Sequence, residues 1–180
     1  MNVSGAFGYL ISTLLDLYIT AVMLRLLLQW VRADFYNPIC QFLVAVTNPL
    51  LIPLRRVIPS FGQLDTASVA LMIALELISV ATVNYIAGGP LAPPGMIMLA
   101  VSKLLLTLLW IYFLLIIALV ILSWVGTGLR HPIIPLMVQL TRPVLAPFRR
   151  LLPAVGGFDL APLFALIAIQ FLIILLTGNR

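Results

Sequence analysis

The sequence predicts an all-α membrane protein made of two tandem parallel repeats. Each repeat is a transmembrane helix, a short interfacial or re-entrant helix with a Pro/Arg loop, and a second transmembrane helix. Three observations predict this. Hydrophobic residues make up 63% of the 180 positions and charged residues 8%, against about 25% charged in a soluble domain, so lipid must solvate much of the surface. Four apolar runs approach or exceed the roughly 20 residues that cross the hydrocarbon layer. The chain also matches itself without a gap when shifted by 94 residues.

The runs are Phe7 to Trp30, Thr66 to Ala87, Met96 to Trp124 and Asp159 to Thr177. The first holds two charged residues, Asp16 and Arg25, and the second holds Glu76. Lys103 lies near the start of the third, and the last has no charge after Asp159. No basic residue precedes Phe7, so this run reads as a retained helix rather than a cleaved leader.

The shift sends Trp30-Val31 onto Trp124-Val125, Tyr18 onto Tyr112 and Pro38-Ile39 onto Pro132-Ile133. Thr47 and Pro49 fall on Thr141 and Pro143, and Pro53, Arg55 and Arg56 fall on Pro147, Arg149 and Arg150. Pro59, Gly62 and Asp65 fall on Pro153, Gly156 and Asp159. Leucine-rich runs match by chance. Prolines, arginines, a glycine and an aspartate in one register do not, and they mark a duplication. The units are residues 1–88 and 96–180, with a Gly/Pro linker over 89–95 that reads as a turn. Two spans per unit return the chain to its starting side, so both motif loops share one face and the repeat is parallel rather than inverted.

Arg32, Arg55, Arg56, Arg130, Arg142, Arg149 and Arg150 fall on the motif side, against Lys103 and Arg180 on the other. This bias predicts a multi-pass membrane protein with cytoplasmic motif loops and both termini outside.

Pro38 to Asn48 and Pro132 to Thr141 are apolar but too short to span. Prolines 38 and 132 suit a helix start, and Pro49 and Pro143 are expected to end these helices. The stretches to Pro59 and Pro153 then read as extended and stiff. Asp65 and Asp159 precede spans, where a carboxylate caps the first turn or pairs with Arg55-Arg56 or Arg149-Arg150 of its own or the neighbouring unit. The arginine pairs read either as anchors to anionic lipid head groups or as a docking site for a membrane or cytoplasmic protein, since guanidinium is a donor fork suited to phosphate and carboxylate.

Ionisable groups within spans are costly and often functional. Asp16 and Glu76 fall near mid-membrane, and Arg25 either snorkels to the cytoplasmic end or reaches Glu76. Their repeat counterparts are Trp110, Gln170 and Leu119, so only Gln170 keeps a hydrogen-bonding group. They read as a polar clamp between helices or as a proton or ion relay, the latter needing a homo-oligomer to enclose a path. Cys40 and His131 are the only residues of their kinds. No internal disulfide, metal site, cofactor, catalytic residue or direct nucleic-acid contact is expected.

The run Thr47-Asn48-Pro49-Leu50-Leu51-Ile52-Pro53-Leu54-Arg55-Arg56-Val57-Ile58-Pro59, its second copy from Thr141 to Pro153, and the trailing Gly and Asp resemble the signature of the YggT (YlmG) family. The resemblance covers essentially the whole chain in the family's two-unit form. It implies an integral membrane scaffold or assembly factor with no established catalysis, associated with osmotic or extracytoplasmic stress tolerance. A small transporter or channel using Asp16 and Glu76 is the alternative.

Overall fold

Backbone groups in hydrocarbon have no water to bond, so apolar runs of this length must satisfy themselves as helices. The computed structural model describes residues 3–60, 65–89, 92–125, 131–151 and 159–178. Among them are six helices: α1 (Val3–Trp30), α2 (Pro38–Val57), α3 (Thr66–Ala87), α4 (Pro93–Val125), α5 (Ile133–Leu151) and α6 (Ala161–Thr177).

Four helices are long and apolar enough to cross a membrane: Gly5–Trp30, Pro38–Val57, Thr66–Ile86 and Pro93–Trp124. Three coincide with expected spans. The expected fourth, α6, has 17 residues and reaches about 25 Å at 1.5 Å per residue. The least apolar of the four is α2, and it buries one stripe, Cys40, Leu43, Thr47 and Leu51. Its repeat counterpart α5 likewise buries Leu136, Met137, Leu140, Thr141 and Leu145.

The long helices form a row in which α1 packs on α3, α3 on α4 and α4 on α6. Against this row, α2 rests on α1 and α3, while α5 rests on α4 and α6 and also touches α1. The core runs through Ile19 and Val22 of α1, Leu71 of α3, Ile116 of α4 and Ala165 of α6. Gly8 lets α1 and α3 close near one end, since a Cβ there would meet Ile86 Cδ1 at 2.6 Å. Leu17, Ile78, Leu114, Ile121, Ile167 and Leu175 point outward, a surface that suits lipid and would associate in water.

Pro49 and Pro143 do not end helices, and the stretch beyond them is not extended. The α2 helix passes through Pro49 and Pro53, and α5 passes through Pro143 and Pro147. Proline removes one backbone bond to the carbonyl four residues back. The freed carbonyls belong to Ala45, Pro49, Gln139 and Pro143, all on the exposed face of their helices. Water or lipid head groups can serve them there, so the helices continue. The linker is also shorter than expected. Gly88 takes the left-handed conformation (φ 67°) that ends α3, but Pro93 to Gly95 already form the first turn of α4. A proline in that position gives up only a donor that a helix start leaves unpaired.

Candidate functional site

Continuous helix through the motif sorts its residues by face. Positions four apart share a face, so Thr47, Leu51 and Arg55 form an inward row and Pro49 and Pro53 an outward one. Thr141, Leu145 and Arg149 repeat the inward row in α5, with Pro143 and Pro147 outward. The adjacent arginines are thereby split. Arg55 and Arg149 each meet the aspartate of their own unit, Arg56 and Arg150 make no such pair among the described residues, and all four are exposed. All four lie in the last turns of their helices, where positive charge complements the dipole.

The two Arg–Asp pairs are built differently. In the first unit Arg55 Nη2 lies 2.5 Å from Asp65 Oδ2, and Ser68 Oγ donates to the same oxygen at 2.5 Å. Asp65 is 2% exposed. It precedes α3 but makes no side-chain cap bond, so the capping role expected of it fails there: Arg55 and Ser68 both bond Oδ2, and Oδ1 is buried without a partner among the described residues. Burial pushes its carboxyl up, but the bonds from Arg55 and Ser68 and the charge of Arg55 outweigh that and hold it below the usual carboxylate range. In the second unit Arg149 Nε donates to Asp159 Oδ2 at 2.8 Å, and Ala161 N–H donates to Asp159 Oδ1 at 3.0 Å. Here the aspartate holds its arginine and also accepts from the first N–H of α6, although the N-cap position itself is Leu160; the Arg149 and Asp159 side chains are 52% and 41% exposed. Gly62, Pro153 and Gly156 lie outside the described residues, and the Pro59 carbonyl accepts a bond from Thr66 Oγ1 at 2.6 Å.

Arg25 neither snorkels nor reaches Glu76. Its Nη1 donates to Thr47 Oγ1 at 2.6 Å and to Asn48 Oδ1 at 2.9 Å, and the residue is 6% exposed. Two acceptors on the neighbouring helix lie closer than any carboxylate on α3. Glu76, 1% exposed, instead meets Lys103 of α4 at 2.5 Å. Lys103 also lies 3.4 Å from Asp16 Oδ1 and 3.3 Å from Ser79 Oγ. The cluster therefore joins α1 and α3 of the first unit to α4 of the second. Gln170 is exposed and lines a shallow apolar groove with Phe113, Leu166 and Phe171, so it does not repeat the role of Glu76.

Sequence reasoning missed Lys103 as a site residue by placing it near a helix start. The Pro93-Pro94 pair was the available signal: a helix beginning there carries Lys103 about three turns inward. It also missed a matched pair of caps. Asn37 Oδ1 accepts from Ile39 N–H at 2.9 Å, and its repeat counterpart His131 accepts on Nδ1 from Ile133 N–H at 3.3 Å. Asn37 Nδ2 also donates to the Pro132 carbonyl at 2.6 Å, tying the starts of α2 and α5 together.

The CCB3/YggT profile matches two segments, residues 4–86 and 98–179, which correspond to the two structural triads α1–α3 and α4–α6. The chain belongs to the CCB3/YggT family. It is similar to an uncharacterized protein of Pseudomonas aeruginosa, 43% identical over 173 residues, covering 95% of this chain and 88% of that protein. It is 42% identical to an uncharacterized Vibrio alginolyticus protein, with coverage of 93% and 91%. To the uncharacterized protein YggT of Escherichia coli it is 38% identical, with coverage of 86% and 80%. No solved structure matches. In this YggT-family chain the motif of both units is thus a helix whose first arginine pairs with the aspartate before the next helix and whose second does not.

Proposed function

We propose that this protein is an integral membrane scaffold or assembly factor. In this reading α1, α3, α4 and α6 span a bacterial inner membrane, and α2 and α5 lie along its cytoplasmic face. The repeat is parallel, both termini are outside, and the outward faces of α2 and α5 hold a partner protein. The chain binds its partner without transforming it. Osmotic or extracytoplasmic stress tolerance, associated with the family, is the physiological setting the reading suggests.

One observation carries it: each motif helix spends its first arginine on an internal aspartate and presents the second, Arg56 or Arg150, outward at the same position of both units. A fold that needed only internal pairing would use one arginine per helix. The freed proline carbonyls support the interfacial placement, since facing hydrocarbon they would each cost several kcal/mol, on the order of an unsatisfied buried polar group. The test is in-cell crosslinking from a probe at Ser60, with mass spectrometry of what is captured. Capture of one discrete protein, lost in Arg56→Gln/Arg150→Gln, supports docking. Lipid or self-contacts alone, unchanged in that variant, reduce both arginines to membrane anchors.

The transport reading rests on the Asp16–Lys103–Glu76 cluster. Its fixed ammonium favours a clamp, because it gives the buried carboxylate a permanent counter-ion. Ion flux into liposomes that carry the purified protein decides this. Flux abolished by Glu76→Gln would establish transport, and none in either protein removes it.

A further inference from the structure

The same slot is built in opposite ways in the two units. In the first unit Arg25 fills the space between α1 and α2, bonded to Thr47 and Asn48. In the second unit Leu119 stands at the position of Arg25, Arg142 at that of Asn48, and Pro162 at that of Ser68. There the structure has a cavity of about 480 Å³ among α4, α5 and α6, lined by Leu119, Ser123, Thr141, Leu145, Arg149 and Asp159. The first unit's own cation seals what the second unit leaves open.

The remaining hydrogen-bonding capacity in this cavity says what would fit it. Both Asp159 oxygens are engaged, one by Ala161 N–H and one by Arg149 Nε. Thr141 Oγ1 donates to the Met137 carbonyl at 2.8 Å. Among the described residues the two Nη groups of Arg149 and the Ser123 hydroxyl make no bond. The site therefore offers donors, and its natural complement is a ligand with several acceptor oxygens. Guanidinium presents its donors as a planar fork that suits a phosphate. The other walls, Ile116, Val120 and Leu145, are apolar. Trp124, exposed at the end of α4, is a residue type enriched at head-group level. The volume falls in the range of small-ligand sites, about 300–1,000 Å³.

We propose that this cavity binds a membrane phospholipid, with its phosphodiester on Arg149 and Ser123 and its first acyl carbons along Ile116, Leu119 and Val120. The first unit cannot bind one, because Arg25 occupies the equivalent space. The duplication has thus produced one sealed unit and one lipid-binding unit. This site is separate from Arg56 and Arg150, so it stands whether or not those residues dock a partner.

The test is native mass spectrometry of the detergent-purified protein after delipidation and titration with defined phospholipid. Wild type should retain one phospholipid per chain. Leu119→Arg/Arg142→Asn rebuilds the first unit's plug and should weaken retention at least tenfold, as should Leu119→Trp, which fills the space by bulk alone. Arg149→Lys keeps the charge but loses the fork and should also weaken it. Arg56→Gln/Arg150→Gln should retain lipid as wild type does. Diacylglycerol, which lacks the phosphate, should not bind, and glycerol phosphate, which lacks the chains, should not compete. Both filled variants retaining lipid while folded, judged by helical circular dichroism and a single elution peak, would overturn the proposal. So would a wild type without stoichiometric lipid, or diacylglycerol bound as tightly as phospholipid.

Discussion

Lys103 Nζ lies 2.5 Å from Glu76 Oε1, and this contact joins the first unit to the second inside the helix row. Breaking a buried pair by removing one partner costs about 3–5 kcal/mol, because the other charge is left uncompensated. Lys103 is 38% exposed on its side chain, so water or a neighbouring group can relieve part of that. Lys103→Met is therefore expected to destabilise the protein by about 2–3 kcal/mol. Glu76→Gln/Lys103→Met should recover most of the loss. The check is thermal unfolding in detergent for the two single variants and the double. Additive losses would mean that the two side chains do not stabilise one another.

Arg25→Leu installs the second unit's residue in the first. It removes the donor to Thr47 and Asn48 and leaves a space between α1 and α2. A buried acceptor that loses its partner costs about 1–3 kcal/mol. Thr47 is fully buried while Asn48 is partly exposed, so Thr47 should carry most of the effect. Arg25→Leu and Thr47→Val are expected to be non-additive in unfolding midpoint, because each deletes the same contact.

Much of this was legible in the sequence. The apolar runs gave the long helices because hydrocarbon leaves a backbone little choice, and the fixed register of Pro, Arg and Asp gave the repeat. What was not legible was the path between Pro49 and Pro59. A proline in a sequence signals a helix end, and only the side it faces decides whether a freed carbonyl is tolerable. That also hid the division of labour within Arg55-Arg56, since only a continued helix puts Arg55 on the face of Thr47 and Leu51. The partner of Glu76 was missed for a different reason. Which helices adjoin is a tertiary fact, and Lys103 comes from the other unit.

The caps give a prediction for the junction of the two units. Asn37→Ala removes both the bond to Ile39 N–H and the bond to the Pro132 carbonyl. His131→Ala removes only the bond to Ile133 N–H, which is long at 3.3 Å. An N-cap is worth about 1 kcal/mol, so Asn37→Ala should exceed that and His131→Ala should fall below it. Asn37→Asp keeps the acceptor and loses the donor. It should therefore retain the cap and show only the cost of the lost inter-unit bond, read from the same unfolding midpoints.

The two Arg–Asp pairs predict different responses to acid. Because the Asp65 carboxyl is held below its ordinary value in the folded protein, the residue binds fewer protons there than in the unfolded chain. Its contribution is fully present above the unfolded value of about 3.9 and is lost as pH falls through the lower folded value. Asp65→Asn should therefore lower the unfolding midpoint at neutral pH, and the gap to wild type should narrow below about pH 4. Asp159→Asn should be milder at neutral pH, about 0.2–1 kcal/mol for an exposed ion pair, with some added loss if the amide caps Ala161 less well. Adding salt distinguishes them further. Screening weakens exposed pairs more than buried ones, so molar chloride should shrink the Asp159→Asn effect and leave most of the Asp65→Asn effect. If both variants behaved alike in salt and acid, the burial of Asp65 beside Arg55 and Ser68 would not be what stabilises the first unit.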